Sequence, residues 1–234
     1  MFDKTGCEDE KYLINMVSAE DIIRIGFNIG LCENSRVLDL CCGYGTMLKI
    51  WNEAFGISGV GVDRVSGFIE TGRSRLSDDR IKLLCGDVLR YADDNLYDVV
   101  VCTELSCGLF ADFNEGIKFL ENFLLPKGTI VFGRLFSELP NPPQELIDFD
   151  GFIPTLSEIY TEVRQCGYLL TSMASGERAS WERYITRDAK LSLEKLHQNP
   201  GDAEHTAWTD KWYNMYFNFR RPFESWGLFG IEKI

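Results

Sequence analysis

The sequence predicts an α/β chain built on a doubly wound, mostly parallel sheet, with a helical insertion between the sixth and seventh strands. Three observations carry this. The stretch Val37-Leu38-Asp39-Leu40-Cys41-Cys42-Gly43-Tyr44-Gly45-Thr46-Met47 is an apolar run with one acid that breaks at two glycines and passes into a helical pattern. That is a buried strand, a tight turn and a helix, the start of a βαβ unit. Apolar strands then alternate with helical stretches, as a parallel sheet requires. From Ser180 to Phe223 the chain turns helical and aromatic before one last apolar run.

Composition narrows the options. The 234 residues, 45% hydrophobic, suffice for one α/β domain with an appendage. Net charge is −12, from 24 Lys+Arg against 36 Asp+Glu. Nucleic-acid binding needs a basic footprint, and Arg73, Arg75, Arg80, Arg220 and Arg221 make none, so no nucleic-acid partner is expected. The 8 cysteines form no C-x-x-C pair, and His197 and His205 are the only histidines, so no metal is expected. The first ten residues carry no apolar signal region, and no apolar run is long enough to span a membrane. The expected compartment is a reducing cytoplasm, with the cysteines as small buried hydrophobes.

In chain order, apolar spacing between Glu10 and Leu31 predicts a short helix and then a second over Ala19–Gly30, with Ser18 and Asp21 as its cap. The 37–41 run is the first strand. The second, third and fourth are Gly59–Asp63, Ile81–Val88 and Tyr97–Glu104, with helices near Val65–Leu76 and Asn114–Leu124. Gly128–Arg134 is the fifth strand, entered through the turn Leu125-Pro126-Lys127-Gly128. Leu139–Pro143 reads as irregular loop, Thr155–Cys166 as a helix closed by Gly167, and Tyr168–Ala174 as the sixth strand. Asn199-Pro200-Gly201 divides the insertion into two helices, and Trp226–Ile231 is the last strand.

The glycine turn sits where open α/β sheets bind ligands. It lacks the third glycine of G-x-G-x-x-G, and the chain has no G-x-x-x-x-G-K-S/T. Instead an acid, Asp39, precedes the turn, awkward for a pyrophosphate but suited to an ammonium or sulfonium. Asp39, Asp63 and Asp87 recur at equal intervals of 24 residues, one βα repeat each, so all three should line one edge of the sheet. An acid after the second strand suits ribose hydroxyls, which fits Asp63. A nicotinamide enzyme would explain Asp63 but not Asp39 and Asp87 together.

Val37 to Gly45 resembles the first motif of class I S-adenosylmethionine (SAM)-dependent methyltransferases, V/I/L-L-D-x-G-x-G-x-G, with Cys41 at the first glycine. The resemblance extends over nearly the whole chain. Ser180-Trp181-Glu182-Arg183-Tyr184, the Asn199-Pro200 break and Ser225-Trp226-Gly227-Leu228-Phe229 resemble a group of small-molecule-type members with a W-x-x-Y helix and a closing W-G-x-F strand. It implies a seven-stranded Rossmann-like methyltransferase sheet with the last strand antiparallel. It implies four regions: N-terminal helices covering the cofactor site (1–35), a SAM-binding core (36–175), a helical substrate lid (176–223) and the final core strand (224–234). The implied cofactor is SAM, leaving as S-adenosylhomocysteine. Its implied site is Asp39, Cys41, Gly43, Tyr44, Gly45, Asp63, Arg64, Asp87, Val88, Thr103 and Glu104. Asp39 would hold the methionyl end, and Asp87 would accept from the adenine amine.

Thr103-Glu104-Leu105-Ser106 lies where the family places substrate-facing residues, without the N/D-P-P-Y/F motif of enzymes that methylate adenine or glutamine amines. The partner expected is a small-molecule acceptor, with the acidic balance and aromatic lid favouring an amine. Glu104 is the candidate catalytic acid or base, with His197 and Tyr184 as other bases for a hydroxyl acceptor. Trp181 and Tyr184 are candidate substrate contacts on one helix face. Alternatives are a non-catalytic SAM-binding regulatory domain and, prompted by Cys102 and Cys107, methyl transfer to a thiophilic centre such as arsenite. RNA methylation is disfavoured by the charge. Oligomeric state is not legible.

Overall fold

The computed structural model describes residues 8–105 and 108–234. Among these, seven strands form one sheet: β1 (Arg36–Leu40), β2 (Ser58–Asp63), β3 (Ile81–Cys85), β4 (Tyr97–Cys102), β5 (Leu124–Ser137), β6 (Tyr168–Ser175) and β7 (Glu224–Lys233). Their order is β3-β2-β1-β4-β5-β7-β6. Pairs among β1 to β5 are parallel, whereas β7 runs antiparallel to both β5 and β6. The order reverses between β1 and β4, the switch point at which such sheets open a crevice.

The helices are α1 (Ala19–Asn28), α2 (Thr46–Phe55), α3 (Ser66–Arg75), α4 (Phe113–Glu121), α5 (Gln144–Asp150), α6 (Leu156–Gln165), α7 (Arg178–Gln198) and α8 (Ala203–Met215). A π-helical turn, Tyr216–Arg220, follows α8. Side chains alternate across the strands, so each buries two faces. Val37 of β1 joins Ile22, Ile25, Leu48 and Trp51 under α1 and α2. Leu38 and Leu40 point the other way, to Ile117, Leu120, Ile159 and Val163 of α4 and α6. Trp51 is fully buried, and its indole N–H donates to the Ile22 carbonyl at 2.7 Å, tying α2 to α1. None of the helices described is long and apolar enough to cross a membrane.

The predicted caps form: Ser18 Oγ accepts the Asp21 amide while Asp21 accepts the Ser18 amide, and Thr155 and Glu158 do the same for α6. Several predicted boundaries move. Among the described residues the first N-terminal helix ends at residue 10, and residues 11–18 form an irregular strap of turns and bends before α1. Leu124 already pairs with Tyr97, so the Leu125–Gly128 turn is an irregularity inside β5, absorbed by Lys127 at φ +68°. The predicted loop before residue 144 leads into a helix the sequence reading omitted, α5.

Gly72 lets α3 sit directly on the turn after β1. A Cβ there would meet the Tyr44 carbonyl and come within 2.7 Å of Leu83. Gly72→Ala, a change that ordinarily favours a helix by up to ~1 kcal/mol, is therefore expected to destabilise by about 1–3 kcal/mol in denaturant unfolding.

Candidate active site

A cavity of about 600 Å³ opens at the carboxyl ends of β1, β2 and β4. Its floor is the turn after β1. Cys41, Gly43 and Gly45 all take left-handed φ values, +63°, +56° and +69°. Cys41 thus holds a conformation glycine adopts without strain, which is why the family pattern has glycine there. Asp63 staples the turn to β2: its carboxylate accepts the Gly43 amide at 2.8 Å and the Val65 amide at 2.9 Å. Gly43 also faces the strap so closely that a Cβ would fall 2.9 Å from Ile14.

Asp39 lies in the same cavity, 2% exposed, and its Oδ1 has no hydrogen-bond partner. Burial, reinforced by the charge of Asp63, pushes its carboxyl up to about 8. An orphaned buried carboxylate beside another carboxylate asks for a cation. Asp87 caps the short turn Val88–Arg90 by accepting the Leu89 amide at 3.0 Å and keeps half its side chain exposed. Thr103 and Glu104 close the far wall. Among the described residues Arg64 is the single cation lining this cavity, against Asp39, Asp63, Asp87 and Glu104.

A second cavity, about 490 Å³, adjoins it and shares Ile14, Asn15, Thr103 and Glu104 with it. Each volume is in the range of small-molecule sites. The second is walled by β5, α5, α7 and α8, and includes Phe113, Arg134, Phe152, Tyr184, Trp212 and Arg220. Glu104, at the junction, makes no side-chain hydrogen bond or ion pair with the described residues. Tyr184 is half-buried, and desolvation with the charges of Asp188 and Glu104 pushes its hydroxyl up to about 12, so at neutral pH it is a donor.

The strap roofs both cavities. Arg183 of α7 is its main anchor, donating to the carbonyls of Glu10, Leu13, Asn15 and Val17 at 2.9, 3.2, 2.8 and 3.0 Å, and Arg187 adds a bond to Leu13 at 3.3 Å. On the other side Asp9 bridges Lys49 and Arg75, and the Arg75 guanidinium lies 3.6 Å from the Tyr12 ring centroid.

Of the residues expected around a cofactor, Asp39, Cys41, Gly43, Asp63, Arg64, Asp87, Val88, Thr103 and Glu104 line the first cavity. Tyr44 and Gly45 do not. The Tyr44 ring packs between Tyr12 and Phe68, and Gly45 turns the chain into α2 over Leu83. Tyr184 reaches the second cavity, but Trp181 lines neither: it is 3% exposed and stacks on Tyr216 in the core. A helix face three residues wide straddles the boundary between core and cavity, so the pair splits. His197, exposed near the end of α7, lines neither cavity, and Tyr184 holds its proton too firmly to serve as a base. Of the thiol pair, Cys102 is fully buried, its thiol pushed up by a hydrogen bond with Cys41 and by burial, and Cys107 lies outside the described residues. Among the described residues no group of three or more His, Cys, Asp or Glu is placed to hold a metal ion.

The sequence reading missed the strap residues Tyr12 to Asn15 and the arginines of the second cavity. Arg134 had a visible signal, a lone charge ending the apolar run Ile130-Val131-Phe132-Gly133. Arg220 had none, because a π turn sets its direction.

Residues 37–128 match the family described as a methyltransferase domain. YjhP of Escherichia coli is 25% identical over 96% of this chain and 95% of its own length. A malonyl-[acyl-carrier protein] O-methyltransferase of Priestia megaterium is 28% identical over 72% of this chain, which spans 57% of that protein's length. A SAM-dependent methyltransferase from Thiobacillus denitrificans, solved with S-adenosyl-L-homocysteine, superposes with a TM-score of 0.88 at 24% identity, over 100% of both chains. The last comparison speaks to the fold: a seven-stranded methyltransferase sheet with one antiparallel strand.

Two expectations follow. Arg183→Ala frees the strap, so cleavage of the 9–18 segment by a nonspecific protease accelerates and the affinity of the first cavity for its ligand drops about tenfold or more, with Arg183→Lys intermediate. For Asp39, the native carboxyl keeps its proton to about pH 8, whereas the unfolded one loses it in the ordinary carboxylate range. Between those values the native state binds the extra proton, so stability falls as pH rises, by about 1.4 kcal/mol per unit. Asp39→Asn removes that slope, and the melting temperature of the ligand-free protein at pH 8 rises.

Proposed function

We propose that this chain, a SAM-dependent methyltransferase by the domain over residues 37–128 and by its fold, transfers a methyl group to a small amine-bearing acceptor held in the second cavity. The observation that carries the reading is the junction: Thr103 and Glu104 belong to both cavities, so groups bound in the two meet there.

The residues of the first cavity fit SAM. Asp39 offers an unsatisfied carboxylate oxygen to the methionyl ammonium. Asp63, although it already binds two backbone amides, keeps lone pairs for ribose hydroxyls. Asp87 and Val88, which line the same cavity, are the residues that would flank the adenine, and the acidic lining suits a ligand with two cationic centres. When bound, SAM supplies an electrophilic methyl group on sulfur and leaves as S-adenosylhomocysteine.

The protein's part is orientation and exclusion of water. The strap, fixed by Arg183, covers the junction from above. Tyr184 donates a hydrogen bond within the acceptor cavity. Glu104, with no side-chain partner among the described residues to compete for it, orients an acceptor amine and takes its proton. The Tyr184 ring, in the same cavity, offers a π surface to an ammonium. Six free cysteines among the described residues accord with a reducing cytoplasm.

The test is release of S-adenosylhomocysteine from SAM over a panel of small amines and hydroxyl compounds. Turnover with an amine is expected. Glu104→Gln should cut kcat by about 10²–10⁴ while S-adenosylhomocysteine affinity stays within a few-fold. A variant that loses cofactor affinity and kcat in parallel would make Glu104 a cofactor-side acid instead. Tight binding without turnover on any acceptor would favour a regulatory SAM-binding domain.

A further inference from the structure

We propose that the acceptor carries a carboxylate on the side away from its nucleophile, and that Arg134 and Arg220 receive it. The proposal rests on the methyltransferase reading of the second cavity. Both arginines line that cavity, and their side chains are only 11% and 7% exposed. Such burial is costly for a cation unless its donors are met.

Each guanidinium is fixed and only partly spent. Arg134 gives Nη1 to Glu162 and lies 5.4 Å from the Phe113 ring centroid; its Nε and Nη2 have no partner among the described residues. Arg220 gives Nε and Nη2 to Asp150, with Nε–Oδ2 at 2.8 Å. Its flat face stacks 4.3 Å from Trp212 and 5.2 Å from Phe149, leaving Nη1 without a partner among the described residues. The π turn matters here, since its extra residue per turn brings Arg220 round to Asp150. An arginine carries five N–H donors, so both retain capacity to bind a ligand oxygen. Held from two sides, neither has much freedom to lose when an oxygen arrives, the condition for tight recognition.

The surrounding charges decide which oxygen group fits. Glu162 and Asp150 already neutralise the two arginines, and Glu104 and Asp112 add negative charge to the lining. Glu224, whose carboxyl burial pushes up to about 8 with Arg220 opposing and Asp150 adding to the rise, stands behind Arg220. A dianion such as a phosphate ester would meet net repulsion. A single carboxylate whose charge is cancelled by the acceptor's own ammonium adds none. The ammonium end then lies toward Glu104 and the carboxylate end toward the arginines, so the substrate class is an amine that also bears a carboxylate.

The experiment is calorimetric titration of the protein loaded with S-adenosylhomocysteine. Glycine, β-alanine, 4-aminobutyrate and phenylalanine are each compared with their own primary amides. At least one acid is expected to bind roughly tenfold or more tighter than its amide, because the amide cannot accept two charge-assisted bonds. That preference should shrink to about twofold in Arg134→Gln, with Arg134→Lys retaining part of it. Unchanged S-adenosylhomocysteine affinity certifies that the variants are folded, and Arg220→Lys is the second probe. No acid outbinding its amide, no binding of any probe to the loaded protein, or a preference that survives both Arg134→Gln and Arg220→Lys overturns the proposal. Failure of S-adenosylhomocysteine itself to bind the wild-type protein defeats the methyltransferase reading first, and the acceptor proposal with it.

Discussion

Two carboxylates buried side by side set the terms for the rest of this structure. Asp39 and Asp63 stand on neighbouring parallel strands, Asp39 level with Gly61 and Asp63 two residues further along the same face. Only Asp63 has its oxygens satisfied, by the Gly43 and Val65 amides. Those bonds hold the glycine turn open. The cost is left on Asp39, whose carboxyl burial and the charge of Asp63 push up to about 8. The local strain at Cys41, the acidic lining and the close approach of Ile14 to Gly43 all surround that one unsatisfied oxygen. A fold selected for stability alone would fill the position with an apolar side chain.

The strap couples this cavity to its neighbour. Backbone outside helices and strands has carbonyls that need donors, and residues 10–17 find four of theirs on Arg183. Because Arg183 rides on α7, the helix that also carries Tyr184, the roof of the first cavity and a wall of the second are tied together. The Asp9 bridge to Lys49 and Arg75 anchors the other end to α2 and α3. Movement of α7 would therefore be felt at both sites.

Much of this was legible in the sequence because it follows from periodicity. The strands, the doubly wound order and the acids at their ends follow from apolar runs spaced by one βα repeat; the fuller cofactor-site set came from the family resemblance, and nine of its residues line one cavity. What escaped has physical reasons. Trp181 and Tyr184 share a helix face, but only tertiary packing decides which of them meets the core. Tyr44 belongs to the turn motif, yet its ring leaves the cavity to pack between Tyr12 and Phe68. The strap has no periodicity to read. Arg220 depends on a π turn, whose one-residue register change no pattern of hydrophobicity announces.

The central claim is that Asp39 waits, protonated, for a cationic ligand. It is tested most directly by titrating S-adenosylhomocysteine at pH 7 in buffers of different ionisation enthalpy. The binding enthalpy should vary with the buffer in proportion to release of roughly one proton per ligand, and Asp39→Asn should abolish that variation and weaken binding. An enthalpy independent of buffer, or an Asp39→Asn variant that binds as tightly as the parent, would contradict the account.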